Sequence, residues 1–331
     1  MKWSWWVGAL LCLALPAGAA HAQALKPEQI REAKASEKGQ PRALAAKVQI
    51  LLDRVRFAPG VIDGRGGENV DNALEAFRKA NGLESKGKGI DEETLAKLSE
   101  TAKESGEPVL TEYTITEEDV KGPFAKEIPD DLEAQGKLDR LAYTGPVELL
   151  AERFHMDEDF LKELNPDKDF AKAGTTITVA NVKAGAAENG SGAVKRIEVD
   201  KAEKQLRAYG DDDKLIAVFP ATIGSTSRPA PTGTLEIKAI AKNPDYTYNP
   251  EYKFEGVKTD KPFKIKPGPN NPVGSTWIDL SKDGYGIHGT PEPSKIGKTA
   301  SHGCVRLTNW DVEVLARMVK PGVKVEFLAG S

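Results

Sequence analysis

The sequence predicts a multi-domain α+β protein, helical in its first half and mostly β in its second. Three observations predict it. Leu44, Val48, Leu51, Leu52 and Val55 recur at the spacing of one helix face. From residue 194 onward, short alternating runs such as "VKRIEV", "GTLEIKAI" and "VKVEFL" take over. Between the two halves lies "KAGAAENGSGA", residues 183–193, a flexible linker by composition.

The chain starts with a positive Met1-Lys2, an apolar run from Trp5 to Leu15 and a small-x-small site at Ala20-His21-Ala22. This pattern predicts a secretory signal peptide over residues 1–22 and an exported protein of the periplasm or cell envelope. A membrane anchor is the competing reading, but the apolar run is short for a span, and no later stretch is long and apolar enough. Removal of the peptide takes Cys12 with it and leaves Cys304 as the one thiol, with no intramolecular disulfide partner. Residues 23–42 are polar and read as a tether. The formal charge of −4, with 29% charged residues, supplies no basic stripe and excludes nucleic acid as a partner.

A first folded unit is expected at 43–100. Val70, Ala73, Leu74 and Phe77 mark a second helix, and "IDEETLAKL" a third, with Asp91 as its N-cap. This small three-helix bundle, with its "IDGRGG" turn, "ALEAFRKANGL" and "GKGIDEETLAKL", resembles the peptidoglycan-binding-like helical domain. It departs from that family at Arg78, where a glutamine is usual. A helical spacer that binds nothing is the alternative. Residues 101–138 are acidic and irregular and read as a linker with one short extended piece. The next unit, 139–182, reads as strand, helix, helix, strand. Through "ERFHMDEDFLKELNP" and "AGTTITV" it resembles a LysM-like βααβ module, a glycan binder, although residues 145–148 lack the usual turn. His155 is expected to be a partly exposed surface residue there.

Residues 194–331 read as a mostly-β, sandwich-like domain with one late helix, "WDVEVLARMV", capped by Asn309 or Asp311 and stopped by Pro321-Gly322. Its chemistry gathers around Cys304. A thiol is a poor nucleophile until a histidine base and a neighbouring cation lower its pKa. "GIHGT" places His288 at a strand end, where Gly289 lets the backbone turn. "SHGCVR" places His302 and Arg306 two residues to either side of Cys304. Gly303 allows close backbone approach, and successive N–H groups there suit an oxyanion hole. Arg306 suits a substrate carboxylate. Other readings compete: a buried core thiol, a zinc site using the His-His-Cys trio, and His302 as a structural hydrogen-bonding residue.

"GIHGT" followed by "SHGCVRLTNWDV", with "IEVDKAEKQLRAY" and "PTGTL" before them, resembles the L,D-transpeptidase catalytic domain of YkuD type over 194–327. The resemblance implies a YkuD fold and a cysteine-dependent acyltransferase of the bacterial cell wall. Cys304 is then the nucleophile, His288 the general base and Gly289 the residue whose carbonyl orients it. Ser301, His302, Gly303 and Arg306 line the acyl and oxyanion site. No cofactor or metal is implied. The implied partners are peptidoglycan stem peptides and glycan strands, with an outer-membrane lipoprotein as one acceptor. Two alternatives stay open: an L,D-carboxypeptidase or other hydrolase on the same acyl-enzyme, and a non-catalytic peptidoglycan-binding protein.

Overall fold

The computed structural model describes residues 24–35, 41–84, 87–103, 108–182, 192–226, 228–252, 257–301 and 303–328. The signal-peptide and Cys12 expectations, and residues 183–191 of the expected linker, lie outside the described residues. Among the described residues no helix is long and apolar enough to cross a membrane.

The front half contains two small cores. Helices α2 (Pro41–Arg54), α3 (Glu68–Ala80) and α4 (Glu92–Lys103) close one of them around Val48, Leu52, Leu74, Phe77 and Leu98. Asp91 accepts the Thr94 N–H at 2.9 Å, as expected of the α4 N-cap. Arg78 is fully buried, and its guanidinium reaches Thr94, the carbonyls of Gly87 and Gly89, and Asp91. The arginine thus satisfies the turn before α4, which gives its departure from glutamine a local reason.

The second core joins α1 (Pro27–Glu32), α7 (Pro146–Arg153), α8 (Glu158–Leu164), β1 (Leu110–Thr114) and β2 (Thr176–Ala180), with the short helices α5 (Glu117–Lys121) and α6 (Leu132–Gln135) between β1 and α7. It differs from the sequence reading in two places. Residues 24–33 do not run as a tether: Leu25, Ile30 and Ala33 are buried in this core. Burying one such isoleucine contributes about 1.5–3 kcal/mol, and together with Leu25 and Ala33 it offsets part of the entropy lost in ordering the segment. The partner of β2 is also not the segment at 141–145. It is β1, paired antiparallel with Leu110 opposite Ala180, from within the stretch read as a linker. Leu141 is committed elsewhere: its backbone exchanges hydrogen bonds with Pro267 and Asn270 of the back half, at 3.1 and 3.0 Å.

The back half is a mostly-β domain. A nine-stranded sheet runs β5 (Leu215–Pro220), β4 (Gln205–Tyr209), β3 (Arg196–Asp200), β13 (Lys324–Phe327), β7 (Gly233–Lys242), β10 (Thr276–Leu280), β11 (Gly286–His288), β12 (Val305–Arg306) and β6 (Thr222–Ile223). The ten-residue β7 carries both halves of the sheet. Gly233 to Glu236 pair with β13, and Ile237 to Lys242 pair with β10. Both halves and helix α9 (Asn309–Met318) share one core, including Ile197, Val199, Ile278, Ile287, Val305 and Leu315. The cap of α9 is Thr308, whose hydroxyl accepts the Asp311 N–H at 3.1 Å, not Asn309 or Asp311. Both of those side chains are buried against the front half instead. A small hairpin, β8 (Tyr246–Tyr248) with β9 (Phe263–Ile265), stands beside the main sheet.

The front units pack on the back half directly. The Ala58 N–H donates to Val218 O and the Val218 N–H to Arg56 O, each at 2.8 Å, and Asn69 donates to Ile296 O at 3.0 Å. His155, expected to be a partly exposed surface residue, is half-buried and sits at this junction. It stacks on Trp310 with centroids 5.0 Å apart, and its Nδ1 lies 2.9 Å from Asp53 Oδ2.

Candidate active site

Strand β11 ends on His288, and β12 runs parallel to it, so Ile287 pairs with Val305 and His288 with Arg306. The Leu307 N–H closes this register onto His288 O at 2.8 Å. Both flanking strands begin or end at glycine-rich loops, and those loops bring Cys304 to the same place. His288, Cys304 and Arg306 line one cleft of about 740 Å³. Its walls include Tyr246 from the small hairpin, Tyr285 from the β10–β11 turn, and Trp277.

The His288 ring is buried and held on two sides. Trp277, directly across the β10–β11 pair, stacks on it with centroids 5.5 Å apart at 19°. Its Nδ1 lies 2.7 Å from Gly289 O. A carbonyl can only accept, so Nδ1 carries the hydrogen and Nε2 is left as the acceptor. Burial, with the Arg306 charge second, pulls the His288 pKa down to about 3, against the opposing carbonyls of Gly289 and Val273. The imidazole is therefore neutral across the ordinary pH range.

Cys304 is partly exposed and unpaired, and its thiol lies 3.7 Å from Gly284 O. Burial pushes the thiol pKa up, outweighing a backbone contact at Gly286 and the Arg306 cation, which lower it. This differs from the activated thiolate expected from the sequence. Arg306 sits beside the thiol as expected, yet desolvation dominates at this depth. The resting cleft therefore holds a protonated thiol beside a neutral imidazole.

The loop before Cys304 is fixed by Ser301 and Gly303. The Ser301 hydroxyl accepts the Gly224 N–H at 2.7 Å and donates to Cys304 O at 2.7 Å, while the Ser301 N–H donates to Gly224 O at 2.9 Å. Ser301 is buried and its hydroxyl is fully committed, so it shapes the loop rather than facing the cleft, contrary to the expectation that it lines the acyl site. Gly303 has φ +107°, and a Cβ there would stand 2.9 Å from the Tyr285 ring. This is a position where only glycine is comfortable. His302, and with it the zinc reading of the His-His-Cys trio and the expected role of His302, lies outside the described residues. Among the described residues, no group of three His, Cys, Asp or Glu side chains could hold a metal ion.

Sequence reasoning missed Trp277, Tyr285 and Asn309. Trp277 and Tyr285 stand in the strand-patterned runs "STWIDL" and "YGIHG", where alternation alone does not say which face lines a cleft. Asn309 stood out only as a helix cap.

The profile of the YkuD L,D-transpeptidase catalytic domain matches residues 194–327. A Bacillus licheniformis protein named as an L,D-transpeptidase of YkuD type is 30% identical over 181 residues, covering 54% of this chain and 91% of the relative. Escherichia coli K12 proteins named as the L,D-transpeptidases YbiS and ErfK/SrfK are similar to this chain at 29% and 31% identity, each over 56% of this chain and 60% of the relative. A solved L,D-transpeptidase from Mycobacterium smegmatis is 20% identical, with a TM-score of 0.32, covering 40% of this chain and 58% of the other. The matched residues 194–327 hold the whole cleft described above, including His288, Cys304 and Arg306, and the chain belongs to the YkuD L,D-transpeptidase catalytic-domain family.

Proposed function

We propose that the protein is a cell-wall L,D-transpeptidase that transfers the acyl group of a peptidoglycan tetrapeptide stem to an amine. The observation that carries this reading is the 2.7 Å contact from His288 Nδ1 to Gly289 O in the cleft that also holds Cys304. It puts the hydrogen on Nδ1 and leaves Nε2 with a lone pair, while burial and the Arg306 charge keep the ring neutral, the state a general base needs. Cys304 Sγ attacks the carbonyl carbon of the third stem residue, a diaminopimelate L-centre, and its proton passes to His288 Nε2. The tetrahedral intermediate collapses, the C–N bond to D-alanine breaks, and the proton goes to the departing amine. An incoming amine then attacks the thioester, gives its proton to Nε2 and forms the new amide. The thiolate leaves and is reprotonated.

Gly303 and the backbone around Cys304 supply the N–H groups for the oxyanion, and Arg306 holds a substrate carboxylate. The acceptor is a second stem peptide, giving a 3→3 crosslink, or a lysine of an envelope lipoprotein. The three-helix and LysM-like units bind the wall polymer and raise the local substrate concentration. The signal-like N-terminus supports an exported, periplasmic location.

Incubation with purified disaccharide-tetrapeptide, followed by mass analysis, tests the reading. A crosslinked dimer that has lost one D-alanine is the expected product. A tripeptide alone would make the enzyme a hydrolase, and an unchanged tetrapeptide would rule the reaction out.

A further inference from the structure

Glu152, in α7 of the front half, has 9% of its surface exposed and is surrounded by neutral partners. Both its oxygens accept from Asn309 Nδ2 at 3.1 Å, and one accepts from the Tyr143 hydroxyl at 3.2 Å. A carboxyl buried without a cation is costly. Nothing in the wall-binding reading of the front half uses it.

We infer that Glu152 is a positioning residue for His288, acting through the Asn309 amide and the Gly289 carbonyl. The inference rests on the reading of His288 as the base. The tautomer of His288 depends on one backbone carbonyl, so whatever holds the 289 peptide holds the base. On one side the Gly289 N–H donates to Thr276 O at 3.2 Å. On the other side lies Asn309. A Cβ at Gly289 would stand 2.2 Å from Asn309 Oδ1, and a Cβ at Gly274 would stand 2.1 Å from the same oxygen. The amide of Asn309 therefore fills the space that two glycines leave beside the base's carbonyl.

An asparagine amide is nearly symmetric in shape, so only its hydrogen bonds decide which end faces the glycines. Asn309 Oδ1 accepts the Ser275 N–H at 3.0 Å. Its Nδ2 donates to Glu152 and to Pro269 O, the latter at 3.1 Å. A flipped amide would set its NH₂ against the Ser275 N–H and its oxygen against the Glu152 carboxyl. Ser275 N–H, Pro269 O and Glu152, the last most strongly when ionised, together select the orientation in which the amide fits against Gly289. The front half completes the active site from behind, and its α7 is a working part of the catalytic centre.

The test reads the His288 ring itself, without substrate. In the full-length chain carrying Cys304→Ala, so that no thiol titrates nearby, the ¹⁵N shifts of Nδ1 and Nε2 report the tautomer. With glutamate or glutamine at 152 the two shifts should stay far apart, with the hydrogen on Nδ1, because both side chains offer Asn309 an acceptor. Glu152→Ala should draw them together as the tautomers mix. With Cys304 restored, Glu152→Ala should lower kcat about tenfold with KM within about twofold, and Glu152→Gln should recover it. Unchanged ring shifts in a folded Glu152→Ala chain overturn the inference.

If the alanine variant does not fold, the wild-type and glutamine side chains still decide. Glu148, Glu313 and Tyr143 also face Glu152, and burial has raised Glu152 to about 8. Between pH 6 and 10 the His288 shifts should step in the chain with Glu152 and not in Glu152→Gln. Identical titrations in the two chains overturn it. A wild-type enzyme inert toward tetrapeptide would defeat the proposed reaction and leave this ring measurement standing.

Discussion

His288 and Arg306 are opposite one another across the parallel pair of β11 and β12. A permanent cation therefore faces the proposed base through one strand spacing, inside a buried cleft. It disfavours the imidazolium and keeps the ring ready to accept a proton.

The pH dependence follows from that relationship. The neutral ring is the active form, and its pKa is lowered to about 3, so the acid limb of kcat/KM should lie far below the ordinary histidine range. Arg306→Gln removes a cause that lowers it and should move the ring pKa upward. NMR titration of His288 in the two proteins checks this separately from substrate binding. A ring that titrates near 6.5 in the wild type would contradict the assignment.

Cys304→Ala should abolish turnover and leave the melting temperature nearly unchanged, because a partly exposed side chain is shortened by one atom. Cys304→Ser should be close to inactive, since a hydroxyl is harder to deprotonate than a thiol. Product formation from tetrapeptide by the alanine variant would remove Cys304 from the mechanism.

Ser301→Ala should cost stability rather than a substrate contact. It strips the buried Gly224 N–H and the Cys304 carbonyl of their shared partner. Each such loss costs about 1–3 kcal/mol. A clear fall in melting temperature is expected, accompanied by a lower kcat as the nucleophile's loop loosens. An unchanged melting temperature with a raised KM would restore Ser301 to the substrate side.

The junction between the halves should weaken as pH rises. Asp311, raised to about 7 by burial and the nearby Asp53 despite His155, and Glu152, raised to about 8 by burial with Glu148 and Glu313, both hold protons that the unfolded chain has lost. Burial lowers the His155 pKa, but Asp53, Asp311 and Glu313 outweigh it and leave it raised. All three contributions have the same sign. The carboxyls stabilise fully below the unfolded values near 4 and lose this as pH climbs through about 7 and 8. His155 stabilises below 6.5 and loses this as pH passes its folded value. Melting curves from pH 5 to 9 should show a decline that Asp311→Asn and Glu152→Gln flatten. A flat wild-type profile would show that these groups do not titrate with folding.

The sequence by itself determined the helix or strand class of the strongly periodic segments and brought forward His288 and Cys304 as candidates. Helical periodicity at Leu44 to Val55 and alternation after residue 194 depend on neighbours along the chain, and both appear in the structure. His288 and Cys304 were legible because their side-chain chemistry is scarce, since few histidines and one thiol remain after residue 22, and Gly289 was legible only through its place after His288 in "GIHGT". What only the tertiary structure decided depends on contacts between residues far apart in the chain. Ile30 leaves an apparent tether for a core, and β1 pairs with β2 from inside an apparent linker. Ser301 turns inward to Gly224, 77 residues away. The electrostatics of the cleft belong to the same category. Sequence spacing puts Arg306 near the thiol, but whether the cation or desolvation sets the thiol's pKa depends on burial, and burial is a property of the assembled fold. Glu152 meets Asn309 across 157 positions, a separation at which no local pattern carries information.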